Sequence, residues 1–147
     1  MKTHYFDTNY LFRLYSTEAG AAAVQELANQ AESIAIAWHG RAELASTLLR
    51  KRREGSLSEE AASAIRRQIL DDVTLGLVEF LPLPEAAMTR LETVLAEAPA
   101  TLNIRAADAL HLACAAEHGF DSVYSNDRLV LAAAPLFGLK GVNVIPP

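Results

Sequence analysis

Lys2-Thr3-His4-Tyr5-Phe6-Asp7-Thr8-Asn9 reads as a short β-type run, Lys2–Phe6, stopped by an acid and two polar residues. An acid at the end of a buried strand is unfavourable without a partner, so Asp7 needs one. Four further β-type runs lie downstream: Ser33–Trp38, Leu77–Leu81, Ser122–Tyr124 and Val142–Ile145. Helical stretches separate them. Ser16-Thr17-Glu18 resembles a helix start, with apolar residues recurring through Ala23, Val24, Leu27 and Ala28. A second helix passes through Glu43, Leu44, Thr47 and Leu48 to about Glu54, where Gly55-Ser56 stops it. Ser58, with Glu59 and Glu60, caps a third that runs to about Thr74. Pro82 and Pro84 end the third strand, and an amphipathic stretch covers Glu85–Glu97 before Pro99. Arg105–His118 forms an Ala-rich helix closed by Gly119, and Asp127–Ala134 a short one.

Strands alternating with helices require crossovers, and crossovers give a mainly parallel sheet covered on both faces. The expected fold is therefore α/β, a three-layer sandwich with a mainly parallel five-stranded sheet. The 147 residues suit a single domain, 1–147. Tyr10, Leu11, Phe12, Leu14 and Tyr15 form an aromatic, apolar stretch that fits either the core or a partner surface.

Composition narrows the class. Hydrophobic residues make up 51% and charged residues 21%, which argues against disorder. The single Cys114 excludes an internal disulfide framework and any multi-cysteine zinc site, and reads as a small buried hydrophobe. No apolar run reaches the roughly 18 residues of a membrane span, and MKTHYFDTNY lacks a signal peptide's apolar stretch. The expectation is a soluble, cytoplasmic domain with no membrane partner. Net charge is −5, from 13 Lys and Arg against 18 Asp and Glu, which alone disfavours a polyanionic partner. Residues 41–70 reverse that locally, with seven basic and four acidic residues, leaving the remainder at −8. Arg50, Lys51, Arg52 and Arg53 dominate this basic band; they read either as an RNA-binding patch or as a solvated helix end complementing the dipole.

In a parallel α/β sheet, ligands bind outside the carboxyl ends of the strands. Asp7 follows strand one, and Asp127 follows strand four after Ser125 and Asn126. Glu43 lies early in the helix leaving strand two, and Asp108 in the first turn of the helix leading to strand four. Four acids from distant segments thus converge at one end. Each has an ordinary alternative: Asp108 as a helix N-terminal acid, Asp127 as a turn or cap, Glu43 as a solvated helix residue. Converged, they repel, and each folded carboxyl should titrate above its unfolded value unless a cation offsets the charge. Oxygen donors suit Mg²⁺ or Mn²⁺, which retain waters and contact phosphates.

Phe6-Asp7-Thr8-Asn9, Glu43, Arg105-Ala106-Ala107-Asp108-Ala109-Leu110 and Ser125-Asn126-Asp127-Arg128 together resemble a PIN domain, over essentially the whole chain. Length and motif order are similar to the VapC-type toxins of bacterial toxin–antitoxin pairs. The resemblance implies a metal-dependent endoribonuclease with Asp7, Glu43, Asp108 and Asp127 as the catalytic, metal-binding quartet. Thr8 and Ser125 would be supporting polar residues, and Mg²⁺ or Mn²⁺ the cofactor. It further implies hydrolysis by metal-activated water, leaving a 5′ phosphate and a 3′ hydroxyl, and a homodimer inhibited by a small antitoxin.

Alternatives remain. A haloacid-dehalogenase phosphatase also carries an Asp after strand one, but needs a second where Asn9 stands. A response-regulator receiver needs an Asp at the end of strand three, where the chain has Phe80-Leu81-Pro82. A non-catalytic PIN-fold RNA-binding or scaffold module, and a PIN nuclease of RNA processing, are the other readings. His111, three residues past Asp108 and able to share its helix face, is read as a packed or hydrogen-bonded structural histidine. His4, His39 and His118, with no ligand spacing, are read as structural or surface residues.

Overall fold

The computed structural model describes residues 2–147, with elements in the order β1 (His4–Tyr5), α1 (Thr8–Tyr15), α2 (Ala21–Asn29), β2 (Ile34–Ala37), α3 (Gly40–Arg53), α4 (Glu59–Thr74), β3 (Val78–Leu81), α5 (Glu85–Glu97), α6 (Ala106–Glu117), β4 (Ser122–Tyr124), α7 (Arg128–Ala133) and β5 (Lys140–Val142). All strand pairings are parallel. β1 pairs with β2 in the register His4↔Ile34, β2 with β3 as Ile34↔Val78, and β4 with β5 as Ser122↔Lys140.

The five strands form two sheets, β1-β2-β3 and β4-β5, rather than one continuous ladder. A single parallel bridge, Phe6↔Tyr124, joins them, with the Asp7 amide donating to the Tyr124 carbonyl at 3.1 Å. The chain leaves the strand direction at Asp7 to start α1, so the bridge ends with Phe6. The resulting spatial order is β3-β2-β1-β4-β5, with β1 flanked by strands reached in opposite directions. That switch point is where a ligand crevice opens.

Alternation along the strands sends neighbouring side chains to opposite faces. Tyr5, Ala35, Ala37, Leu81 and Val123 enter one core, with Ala109, Leu112, Ala113 and Cys114 of α6 and Val130 of α7. Phe6, Ile34, Ile36 and Val78 enter the other, with Tyr10 and Leu11 of α1, Leu44 and Leu48 of α3, and Ile65 and Ile69 of α4. Helices therefore cover both faces, and the three-layer α/β architecture holds. Among the described residues no helix is long and apolar enough to cross a membrane.

Three element assignments shift. Tyr10–Tyr15 belongs to a helix, α1, because Asp7 caps it: its Oδ1 accepts the Tyr10 amide at 2.9 Å. Ser16 turns the chain instead of starting α2, its hydroxyl accepting the Glu18 amide at 3.2 Å. The fifth strand is Lys140–Val142, ending where Asn143 Oδ1 takes hydrogen bonds from the Tyr10 hydroxyl (2.6 Å) and the Ile145 amide (3.0 Å).

Candidate active site

Asp7 stands at the crevice between β1 and β4, 4% exposed, with one carboxylate oxygen fixed as the α1 cap. Burial raises its pKa to about 6, although the Ser125 hydroxyl, the Tyr10 amide and His111 draw it down. Asp108 contributes a smaller upward push.

Glu43 arrives in the first turn of α3. Gly40 lets that helix rest on the end of β2, since a Cβ there would lie 2.7 Å from Ile36 Cδ1. The Glu43 carboxylate is then held on one oxygen, Oε1, by the Thr8 hydroxyl at 2.8 Å and His111 Nε2 at 2.6 Å. Burial pushes its pKa up, but His111, Thr8 and His39 outweigh that and leave it below the ordinary value. The expectation that all four acids titrate high fails here, because Glu43 has dedicated hydrogen-bond donors.

His111 is 1% exposed and ties both strands to this acid. The Tyr5 hydroxyl accepts the Ala37 amide at 3.1 Å and lies 3.1 Å from His111 Nδ1. The Tyr5 hydroxyl thus sits between the Ala37 amide and His111 Nδ1, while Nε2 faces Glu43. The reading of His111 as a hydrogen-bonded core residue agrees with this, but its position against Glu43 was not foreseen. The spacing Asp108 to His111 put them on one helix face; nothing in the sequence connected that face to Glu43. His39, read as surface or structural, stacks on His111 at 4.2 Å between ring centroids. Its Nε2 lies 2.8 Å from the Ala107 carbonyl, and the donor atoms of His39, Glu43 and His111 lie within 4.8 Å of one another.

Asp108 sits in the first turn of α6, and Asp127 caps α7 by accepting the Leu129 amide at 2.8 Å. Ser125, fully buried, accepts the Asp127 amide at 3.0 Å and fixes the β4–α7 turn. Arg105 bridges the two acids, at 3.4 Å from Asp108 Oδ2 and 3.5 Å from Asp127 Oδ2. Burial raises the Asp108 pKa; Arg105 and His111 oppose this, while Asp127 and Glu43 add to it. Asp108 thus couples electrostatically to Asp7, Asp127 and Glu43.

Asp7, Thr8, Glu43, Arg50 and Asp108 line a cavity of about 540 Å³. Asp127 lines an adjoining cavity of about 640 Å³, and Asn9 and Arg50 line both. Of the basic cluster, Arg50 reaches the carboxylate opening, while Lys51 lines the adjoining cavity and pairs with Glu18. Arg52 is not brought to the site; it pairs with Glu59 of α4 at 3.6 Å. Arg53 is exposed and lines neither cavity.

The donor chemistry fits a hard divalent cation. Four carboxylates supply oxygen ligands, two of them are held above their usual pKa, and an arginine already balances two of them. Among the described residues, the donor atoms close enough together to share one ion belong to His39, Glu43 and His111, while Asp7 and Asp108 line the carboxylate cavity with Glu43.

The PIN domain family profile matches residues 4–134, and the chain belongs to that family. Solved structures of the same fold include VapBC2 from Rickettsia felis bound to a promoter DNA fragment, at 16% identity and a TM-score of 0.68, over 96% of this chain and 98% of that one. FitAcB from Neisseria gonorrhoeae is similar at 18% identity and a TM-score of 0.70, over 95% and 96% of the two chains. VapC20 from Mycobacterium tuberculosis, a sarcin–ricin loop cleaving toxin, is similar at 18% identity and a TM-score of 0.62, over 88% and 93%. No curated protein sequence matches the chain.

Proposed function

We propose that the chain is a metal-dependent endoribonuclease and the toxin of a toxin–antitoxin pair, acting as one domain over residues 1–147. What supports this reading is a cavity lined by Asp7, Glu43 and Asp108, with Asp127 tied to Asp108 through Arg105, a set of carboxylates that would hold the ion. The adjoining cavities carry Arg13, Arg50 and Lys51, which suit a phosphate backbone passing the acids. The VapBC2, FitAcB and VapC20 structures support the toxin assignment by fold.

When bound, Mg²⁺ or Mn²⁺ would supply a polarised water and neutralise charge developing on the phosphodiester. The protein's own contribution is positional. Asp7 is locked by its α1 cap, Asp127 by its α7 cap, and Glu43 by Thr8 and His111, so the carboxylates are set before substrate arrives. Arg105, on the rim, pairs with both Asp108 and Asp127, and a cation held by those acids would take over that charge balance. In the cell, the reading implies a cytoplasmic homodimer restrained by a small antitoxin. An arginine of that partner could occupy the same carboxylates, as Arg105 does here.

The test is to express the chain alone, and then with any co-encoded small protein, while mapping RNA ends. Growth arrest, relief by the partner and new RNA ends bearing 5′ phosphates are expected. Unimpaired growth with abundant folded, nuclease-active protein would remove the toxin assignment and leave a PIN nuclease of RNA processing.

A further inference from the structure

Trp38 is the only tryptophan of the chain, and 54% of it is exposed. It directly follows β2, one residue before His39 of the carboxylate site. The Arg41 guanidinium lies 4.5 Å above its ring centroid. With Arg66 of α4, this pair lines a groove of about 610 Å³ whose floor includes Leu44, Ile69 and Phe80. No acidic residue lines the groove, and among the described residues neither Arg41 nor Arg66 is within ion-pair distance of a carboxylate. Ala42 lines both this groove and the carboxylate cavity, so the two openings meet at the first turn of α3.

An indole held open to solvent beside two uncompensated guanidinium groups has the chemistry of a single-strand nucleic-acid site. Bases stack on aromatic and guanidinium planes, and the flanking phosphates pair with arginine. An acidic peptide would use the charges but not the π face. We propose that this groove is a nucleobase subsite. A single-stranded RNA whose scissile phosphate lies at the carboxylates stacks a nearby base on the Trp38–Arg41 pair, with Arg66 on its backbone. The subsite rests on the ribonuclease reading. It makes the enzyme selective for unpaired RNA, because a base inside a duplex cannot reach the indole.

Because Trp38 is the sole tryptophan, its fluorescence reports the subsite directly. The wild-type chain in chelator, where RNA stays whole, is titrated with a short single-stranded RNA and with the same sequence as a duplex. Saturable quenching by the single strand and little by the duplex is expected. Trp38→Ala, followed by RNA anisotropy, should weaken binding by about tenfold or more, and Trp38→Phe should restore most of it. With Mn²⁺, Trp38→Ala should raise KM by the same factor and leave kcat unchanged. Arg41→Ala should give a smaller loss of the same kind. If RNA is cleaved but Trp38→Ala binds and turns over like wild type, the subsite is wrong and the ribonuclease reading stands. If no RNA quenches or is cleaved, both fall. A Trp38→Ala chain that loses self-association while keeping RNA affinity would give the groove to a second copy and overturn the proposal.

Discussion

His111 Nε2 lies 2.6 Å from Glu43 Oε1, joining the middle of α6 to the first turn of α3 across the end of the sheet. The bond completes a path from the Ala37 amide through the Tyr5 hydroxyl and the imidazole to the carboxylate. Buried polar chains of this kind hold a site only when every member is satisfied. Glu43 is thereby fixed in place and kept ionised.

Replacing His111 with Ala strands the Tyr5 hydroxyl, deprives Glu43 of its shortest partner and leaves a cavity. A loss of about 2–4 kcal/mol of stability is expected. RNA cleavage should fall by about 10–100-fold, the usual consequence of removing a residue that orients a metal ligand. His111→Gln, which can still donate to Glu43, should recover part of the cleavage. Urea melts and initial rates measure both effects, and an alanine variant with wild-type rates would show that Glu43 needs no such support.

Arg105 is three-quarters exposed yet spans Asp108 and Asp127. As an internal counter-charge it competes with an incoming cation. Arg105→Ala should therefore lower the Mn²⁺ concentration needed for half-maximal thermal stabilisation by a few-fold, and the difference should shrink in high salt. Mn²⁺ dependence identical to wild type would mean that Arg105 leaves the carboxylates at no cost.

Asp7 carries the clearest pH signature. Its folded pKa, about 6, lies above the ordinary value of 3.8, chiefly through burial. Its protonated form favours the fold, so this contribution is complete below the unfolded pKa and fades as pH rises through about 6. At pH 7–8 the ionised acid costs on the order of 3 kcal/mol without metal. Asp7→Asn keeps the α1 cap, so in chelator it should melt several degrees higher near pH 7.5, with the advantage gone by about pH 4. Mn²⁺ should stabilise the wild type far more than the variant. A variant that melts lower in chelator would make Asp7 a structural partner instead.

The basic band should divide. Arg50 lines both cavities beside the acids, whereas Arg52 pairs with Glu59 on α4. Arg50→Ala should weaken RNA binding and reduce the logarithmic salt slope by about 0.7. Arg52→Ala should change neither, and a reversed pattern in salt titrations would relocate the RNA path.

Much of this was legible in the sequence because strand ends and acids coincide. Asp7 and Asp127 follow strands, Glu43 and Asp108 open helices, and Asp7, Glu43 and Asp108 line one cavity. The alternation of apolar runs also sufficed for two helical layers. What escaped had long-range causes. α1 was hidden because Asp7-Thr8-Asn9 reads as a loop until Asp7 is seen as its cap. The split sheet depends on long-range strand pairing, which composition does not record. Asp127 lines a neighbouring cavity and reaches Asp108 through Arg105, and the Tyr5–His111–Glu43 path spans three elements. No local spacing encodes such contacts.

The central claim is that one carboxylate pocket holds the ion that cleaves RNA. The rate of single-stranded RNA cleavage against free Mn²⁺, for wild type, Asp7→Asn and Asp108→Asn, tests it most directly. The account predicts saturable, chelator-sensitive cleavage by the wild type and a loss of at least about 100-fold in each folded variant. Cleavage that persists in chelator, or wild-type rates in either variant, would contradict it.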